Sequence, residues 1–135
     1  MTSPIDDFLS GTPFAVVGAS EDQRKFGNRV LRCYWEHGLE AFPINPRRQT
    51  IEGARCYARL GDLPERPHAV SLITPPPVSE LVVTEAVALG IEHIWFQPGA
   101  ECEAAIERSR DAGVHVIAGG PCLLVELPRR RGARG

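Results

Sequence analysis

The stretch that decides the fold is Phe14-Ala15-Val16-Val17-Gly18-Ala19-Ser20, followed at Lys25-Phe26-Gly27-Asn28 by a helical pattern. Four apolar residues predict a buried strand, the glycine predicts a tight turn, and the second run predicts the start of a helix. Backbone N–H groups at the start of a helix lack partners within it, and the helix macrodipole favours an anion there. Because glycine lets an anion approach the main chain closely, this turn predicts a phosphate site.

The rest of the chain alternates between strand-like and helix-like patterns. Apolar runs predict four further strands, at Ala41–Ile44, Ala69–Ile73, Ile91–Phe96 and Val114–Ile117. Apolar residues at helical spacing before a glycine predict helices over Gly27–His37, around Leu81–Leu89 and over Glu101–Ala112, with a short helical stretch at Leu60–Leu63. Right-handed crossovers place such helices on both faces of a sheet. The sequence therefore predicts the α/β class, as a Rossmann-like, doubly wound, mainly parallel five-stranded sheet in three α/β/α layers.

Length and composition predict one domain without a broad nucleic-acid or membrane surface. The chain has 135 residues, 43% of them hydrophobic, and a formal net charge of -2. We expect an N-terminal segment at residues 1–13, a domain at 14–127 and a basic, mobile and solvated tail at 128–135. No secretory signal and no long apolar span is visible, so we expect a cytoplasmic protein that binds neither nucleic acid nor membrane.

The cysteines and histidines do not form a recognisable site. The cysteines (Cys33, Cys56, Cys102 and Cys122) include no C-x-x-C pair, which favours reduced structural thiols over disulfides or zinc. The histidines (His37, His68, His93 and His115) lack the spacing of metal ligands, so we expect packing or surface roles. No nucleophile elbow, Walker loop or pair of carboxylates indicates catalysis.

The turns after the first two strands argue against NAD. Ser20 stands where a dinucleotide fingerprint has its second glycine, and Asn45, Pro46 and Arg47 stand where it has a ribose-binding acid. A guanidinium offers a fork of donors to phosphate oxygens. Arg47 therefore favours a ligand with an extra ribose phosphate, such as NADP or coenzyme A.

An ordered set of short motifs resembles a known family. The motifs are Val16-Val17-Gly18-Ala19-Ser20, Lys25-Phe26-Gly27-Asn28, Pro43-Ile44-Asn45-Pro46, Gly53-Ala54-Arg55-Cys56-Tyr57, Leu63-Pro64 and Trp95-Phe96-Gln97-Pro98-Gly99. Together they resemble the small stand-alone CoA-binding domain proteins, and also the N-terminal CoA-binding domain of ADP-forming acyl-CoA synthetases and of the succinyl-CoA synthetase alpha subunit. The likeness runs from about Phe14 to Glu126. One departure is Gly119-Gly120-Pro121-Cys122, where many small members carry an aspartate-arginine-cysteine turn.

The resemblance implies a domain that holds coenzyme A, or an acyl-CoA, across the carboxyl ends of its strands. Matching positions in the turns after the first four strands are Gly18, Ala19, Ser20, Lys25, Phe26, Asn45, Pro46, Thr74, Pro75, Gln97 and Gly99. Arg47 joins them on the charge argument alone. No catalytic or metal-binding residue is implied, and the chain is more simply a binding protein than an enzyme.

Alternatives remain open for single residues and for the whole chain. Ser20 equally suits a helix cap, Lys25 a solvated side chain, and Asn45-Pro46 a turn. A second hypothesis is an NADP-binding or acyl-transfer enzyme subunit acting with a partner chain, and a third is a degenerate nucleotide-binding fold serving as an interaction module. A homodimer or a synthetase-like partner chain fits each of these.

Overall fold

The computed structural model describes residues 3–132, and the side chains of residues 3–130. Its helices are α1 (Pro4–Phe8), α2 (Phe26–Glu36), α3 (Pro76–Ala88), α4 (Glu103–Asp111) and α5 (Leu123–Gly132), with one 3₁₀ turn at Leu60–Asp62. Its strands are β1 (Phe14–Val17), β2 (Ala41–Ile44), β3 (Thr50–Ile51), β4 (Ala54–Arg55), β5 (Ala69–Leu72), β6 (His93–Phe96) and β7 (His115–Ile117). In these residues no helix is both long and apolar enough to cross a bilayer.

The main sheet has five parallel strands in the order β2-β1-β5-β6-β7. This confirms the predicted fold class and all five predicted strands. Because the strands are parallel, their carboxyl ends meet at one edge, and the order reverses direction beside β1. The turns after β1, β2 and β5 are therefore neighbours in space.

Proline is tolerated at position 43 of β2 because its main-chain nitrogen and carbonyl lie on the side of the strand that faces away from β1. Its carbonyl accepts a hydrogen bond from the Tyr57 N–H, and the Asn45 N–H donates to the Tyr57 carbonyl. The main-chain groups of residue 43 therefore point away from β1. The N–H that proline lacks would not have taken part in the β1–β2 ladder, so no hydrogen bond of that ladder is lost. The segment before Tyr57 contains the small β3–β4 hairpin, whose two-residue turn, Glu52 and Gly53, has positive φ at both positions.

Alternate residues of the central strands belong to two separate hydrophobic cores, one on each face of the sheet. Trp95 belongs to the core beneath α1, α2 and α5, whereas Phe96 belongs to the core beneath α3 and α4. Both side chains are fully buried. This is the arrangement expected of a sheet covered on both faces, where adjacent side chains point to opposite layers.

One polar pair lies inside the first of these cores. The hydroxyl groups of Tyr34 on α2 and Ser71 on β5 are 2.7 Å apart, and both residues are fully buried. Burial raises the pKa of the Tyr34 phenol, so the pair is a neutral hydrogen bond.

We expect Tyr34→Phe alone to lower the free energy of unfolding by about 1–3 kcal/mol, because it leaves the Ser71 hydroxyl buried without its partner. Adding Ser71→Ala should recover part of that loss, since no polar group is then left unsatisfied. Urea denaturation of both single variants and the double variant measures the coupling. Strictly additive losses would show that the hydrogen bond contributes nothing.

Both ends of the chain were expected to lie outside the domain, as an N-terminal segment at residues 1–13 and a mobile tail at residues 128–135. Phe8 on α1 is fully buried, with its ring 5.6 Å from Phe14 and 5.2 Å from Trp95. The tail prediction is wrong for residues 128–132, which lie in α5. Arg130 there bonds to Asp6 and to Glu126, and these contacts hold the helix although Pro128 removes one of its bonds. Residues 133–135, with Arg134, lie outside the described residues.

Candidate functional site

A cavity of about 550 Å³ opens at the carboxyl edge of the sheet, where three strand-end turns converge. Seven of the predicted site residues line it: Gly18, Lys25, Asn45, Pro46, Arg47, Thr74 and Pro75. The cavity is of a size typical of small-molecule sites. The sequence therefore located the edge of the sheet and three of its turns.

The first turn is built by close contact between main-chain segments. Gly18 has φ 95° and donates its N–H to the Ile44 carbonyl at the end of β2. A Cβ at Gly18 would overlap the Ile73 carbonyl, and a Cβ at Gly27 would overlap the Gly18 carbonyl. Any side chain at either glycine would push β1, β5 and α2 apart, so both positions shape the turn.

Ser20 caps the turn and not the helix. Its hydroxyl accepts a hydrogen bond from the Asp22 N–H at 3.0 Å, and it does not line the cavity. The N-cap residue of α2 is Lys25, which makes no capping bond with its side chain. The helix-cap alternative for Ser20 is therefore wrong, because α2 starts at Phe26, six residues after Ser20.

Asn45 joins the first two turns. Its side-chain N–H donates to the Ala19 carbonyl at 2.9 Å, and its side-chain oxygen accepts from the Arg47 N–H at 2.8 Å. Asn28 adds a parallel link by donating to the Ser20 carbonyl at 2.9 Å. Asn45 thus forms the turn, as the alternative interpretation held, and also fixes Arg47 at the mouth of the cavity.

The third turn presents Thr74 and Pro75 to the cavity. The Thr74 hydroxyl lies 2.7 Å from the hydroxyl of Ser79, which is fully buried on α3. Pro75 precedes the first residue of α3, and the helix begins within the proline run because proline is tolerated in a first turn. This pairing orients the start of α3 against the end of β5.

The remaining predicted site residues do not line the cavity. Ala19 and Phe26 pack in or against the core beneath α2. Gly99 lies in the exposed turn after β6, where its N–H donates to the Glu101 carboxylate. Gln97 is fully buried, its side-chain oxygen accepts from the Leu123 N–H, and its Nε2 has no hydrogen-bond partner among the described residues.

The opposite wall of the cavity was missed by the sequence argument. It comes from the 3₁₀ segment and from α3, and its residues are Ala58, Arg59, Leu60, Val78, Val82 and Glu85. The only signal was the apolar character of α3, in which Val78 and Val82 stand one turn apart. Nothing in the pattern indicated that residues 58–60 fold back over the sheet edge.

The mouth of the cavity is positively charged and its wall is apolar. Lys25, Arg47 and Arg59 are exposed lining residues. Glu85 is the acidic lining residue, and its carboxylate accepts from the N–H groups of Leu60 and Gly61 at 3.2 and 3.3 Å. An anion with an attached apolar or aromatic group suits this combination.

Burial affects two of the four thiols. Burial raises the pKa of Cys33 to about 11 and also raises the pKa of Cys56, which keeps both thiols protonated near neutral pH. All four cysteines are free, and the described part of the chain contains no group of three or more ligands that could hold a metal ion.

Comparison with known proteins identifies the family. The family described as "CoA binding domain" matches residues 12–128 of the chain. The chain belongs to this family. The match covers the whole sheet and confirms the resemblance drawn from the strand-end motifs.

Relatives of this CoA-binding domain fall into two groups. A conserved hypothetical protein from Pyrococcus furiosus has a solved structure that is 38% identical, with a TM-score of 0.81, covering 86% of this chain and 99% of that one. The alpha subunit of the ADP-forming acetate–CoA ligase II of Pyrococcus furiosus is 24% identical over 108 residues, which are 79% of this chain and 24% of that protein. An acetyl-coenzyme A synthetase from Ca. Korarchaeum cryptofilum, solved with phosphate and ADP, is 26% identical with a TM-score of 0.69, over 78% of this chain and 25% of that one. The chain thus spans about a quarter of these larger relatives and nearly all of the small one.

Proposed function

We propose that the chain binds coenzyme A or an acyl-CoA in the cavity at the carboxyl edge of its sheet. The observation that carries the proposal is the convergence of the Gly18, Asn45–Arg47 and Thr74–Pro75 turns on one cavity. Membership of the CoA-binding domain family supplies the ligand class. Coenzyme A joins a charged, phosphorylated nucleotide to a long, weakly polar arm, which suits a cationic mouth beside an apolar wall.

The residues divide between the two parts of such a ligand. The cations Lys25, Arg47 and Arg59 would contact its phosphates, because N–H groups on charged side chains make strong bonds to phosphate oxygens. Leu60 and Val78 would pack against the adenine ring. The main-chain turn at Gly18 would let the diphosphate approach the first residues of α2. Gln97 and Gly99, two strands away on the same edge, stay predicted contacts of the arm.

Thermal unfolding with added ligand tests the function. We expect coenzyme A and acetyl-CoA to raise the melting temperature and NAD to leave it unchanged, because a ligand that binds only the folded state stabilises it. At a hundredfold excess over its Kd a ligand contributes about 2.7 kcal/mol. A shift with NADP alone would favour the NADP-binding alternative. No shift with any of the four would favour an interaction module and overturn the proposal.

Charge reversal at the mouth tests the site itself. We expect Lys25→Glu to weaken coenzyme A binding by about ten- to a hundredfold, since a charged hydrogen bond of about 1.5–3 kcal/mol is replaced by repulsion. Isothermal calorimetry measures the change. Arg29→Glu is the matched control, because it makes the same charge change on an exposed residue of the same helix that does not line the cavity. Equal losses in both variants, or none in Lys25→Glu, would remove Lys25 from the site.

A further inference from the structure

Three histidine rings lie in a row at the edge of the sheet opposite to the cavity, with His93 stacked on His115 and tilted by 39° against His68. His68 directly precedes β5, His93 begins β6 and His115 begins β7, so all three lie at the amino ends of parallel strands. The ring centroids of His68 and His93 are 4.7 Å apart, and those of His93 and His115 are 5.1 Å apart. We call these three residues the histidine stack. The sequence analysis expected packing or surface roles for these histidines and gave no sign that the three rings lie together.

The histidine stack holds the N-terminal helix. Nε2 of His68 faces two main-chain carbonyl oxygens of α1, at 3.0 Å from Phe8 and 3.3 Å from Asp7, so this nitrogen carries a proton and donates. The Phe8 ring meets the His93 ring edge-on at 6.5 Å. A Cβ at Gly11 would lie 2.8 Å from Nδ1 of His68, which shows that the loop after α1 rests directly on that ring.

Charge at the centre of the stack is disfavoured by its surroundings. Burial is the largest cause that lowers the pKa of His93, and the neighbouring His68 and His115 lower it further. Glu92, which directly precedes β6, and Asp7 on α1 act in the opposite direction with smaller effects. His93 is therefore neutral in the folded protein at pH values where a solvent-exposed histidine is already protonated.

We propose that the histidine stack is a proton-sensitive clasp that releases α1 from the sheet when the pH falls. A proton on His93 places a cation between two other titratable rings and beside the apolar Phe8, so separation of the rings is favoured. The five residues of α1 are too few to stay helical alone, so they depend on Phe8, on the His68 bonds and on the Asp6–Arg130 ion pair. Loss of the first two contacts weakens the attachment of α1, because the partly exposed Asp6–Arg130 ion pair contributes little by itself.

The direction of the pH effect follows from proton linkage. The released state binds more protons than the clasped state, because His93 regains the ordinary histidine pKa of about 6.5 when α1 is released. The clasp is therefore fully stable above about pH 7 and weakens as the pH falls through that value. For each proton taken up on release, the open fraction rises by at most about tenfold per pH unit.

Hydrogen exchange of residues 3–13 tests the clasp. We expect the opening equilibrium constant of this segment, corrected for intrinsic exchange rates, to rise several-fold when the pH is lowered from about 7.5 to about 5.5. The upper limit is about tenfold per pH unit for each proton taken up. Exchange in the central strands should not rise with it, which separates release of α1 from global unfolding. His93→Phe keeps a ring in the stack without a titratable group, and it should abolish most of the pH dependence. His37→Gln changes a histidine at the C-cap of α2, outside the stack; it is the matched control and should behave as the unmodified protein.

A second variant keeps the test decisive if His93→Phe does not fold. His115 is exposed at the end of the stack, and His115→Asn removes one ring that opposes protonation of His93. We expect a smaller pH dependence of opening than in the unmodified protein. A segment that opens equally at both pH values, or that keeps its full pH dependence in both variants, would overturn the proposal.

Discussion

Replacement of Gly18 by alanine is expected to lower the free energy of unfolding by about 2–5 kcal/mol. Two effects add: φ 95° is strained for a residue with a side chain, by about 1–2 kcal/mol, and the new Cβ would overlap the Ile73 carbonyl, where overpacking costs about 1–3 kcal/mol more. The obstacle is main chain in the centre of the sheet, so no side chain can move aside. Urea denaturation at neutral pH measures the loss.

Gly99 provides the control for this prediction. It has the same φ of 95°, but a Cβ there would meet no atom within 4 Å. Gly99→Ala should therefore show the strain alone, about 1–2 kcal/mol. If the two alanine variants lose the same stability, the close contact between Gly18 and Ile73 contributes nothing and the account of the first turn is wrong.

Replacement of Phe8 by alanine is expected to lower the free energy of unfolding by about 3–5 kcal/mol, the range for truncating a buried aromatic side chain. Phe8 is fully buried and packs against Phe14 and Trp95, so its removal leaves a cavity in the core beneath α1 and α5. The measurement is again urea denaturation. The result is informative because a sequence pattern alone assigns residue 8 to a segment outside the domain.

Val125 on α5 is the matched control for Phe8. It is 57% exposed, so Val125→Ala should change the stability by no more than about 0.5 kcal/mol. A Phe8→Ala variant as stable as Val125→Ala would show that α1 is not part of the folded core. It would also remove the basis for a clasp at this end of the molecule.

The sequence predicted the sheet well because its strands are buried on both faces. Phe14–Val17 is continuously apolar and Ala69–Leu72 is apolar apart from Ser71, and only a strand covered on both faces tolerates such runs. The turns after these strands could also be placed, since parallel strands end at one edge. Three of the four predicted turns line the cavity, and the turn after β6 does not.

The rest depended on contacts between distant parts of the chain. Leu60 and Arg59 reach the cavity because the 3₁₀ turn is held by the Glu85 carboxylate, 25 residues away from Leu60, and no local pattern encodes that bond. The helical state of Pro128 depends likewise on the bonds that Arg130 makes to Asp6 and Glu126. Local propensity favoured a loop there because proline opposes a helix, and tertiary contacts decided otherwise.

The outer edge of β2 is not available for strand addition by another copy of this protein. Pro43 has no amide hydrogen, and the main chain of Tyr57 already forms hydrogen bonds with the Pro43 carbonyl and the Asn45 N–H. A neighbouring molecule therefore finds no open row of donors and acceptors onto which to add a strand. Fibril-like growth from this side is blocked by the native chain itself, and any assembly there must be made through side chains.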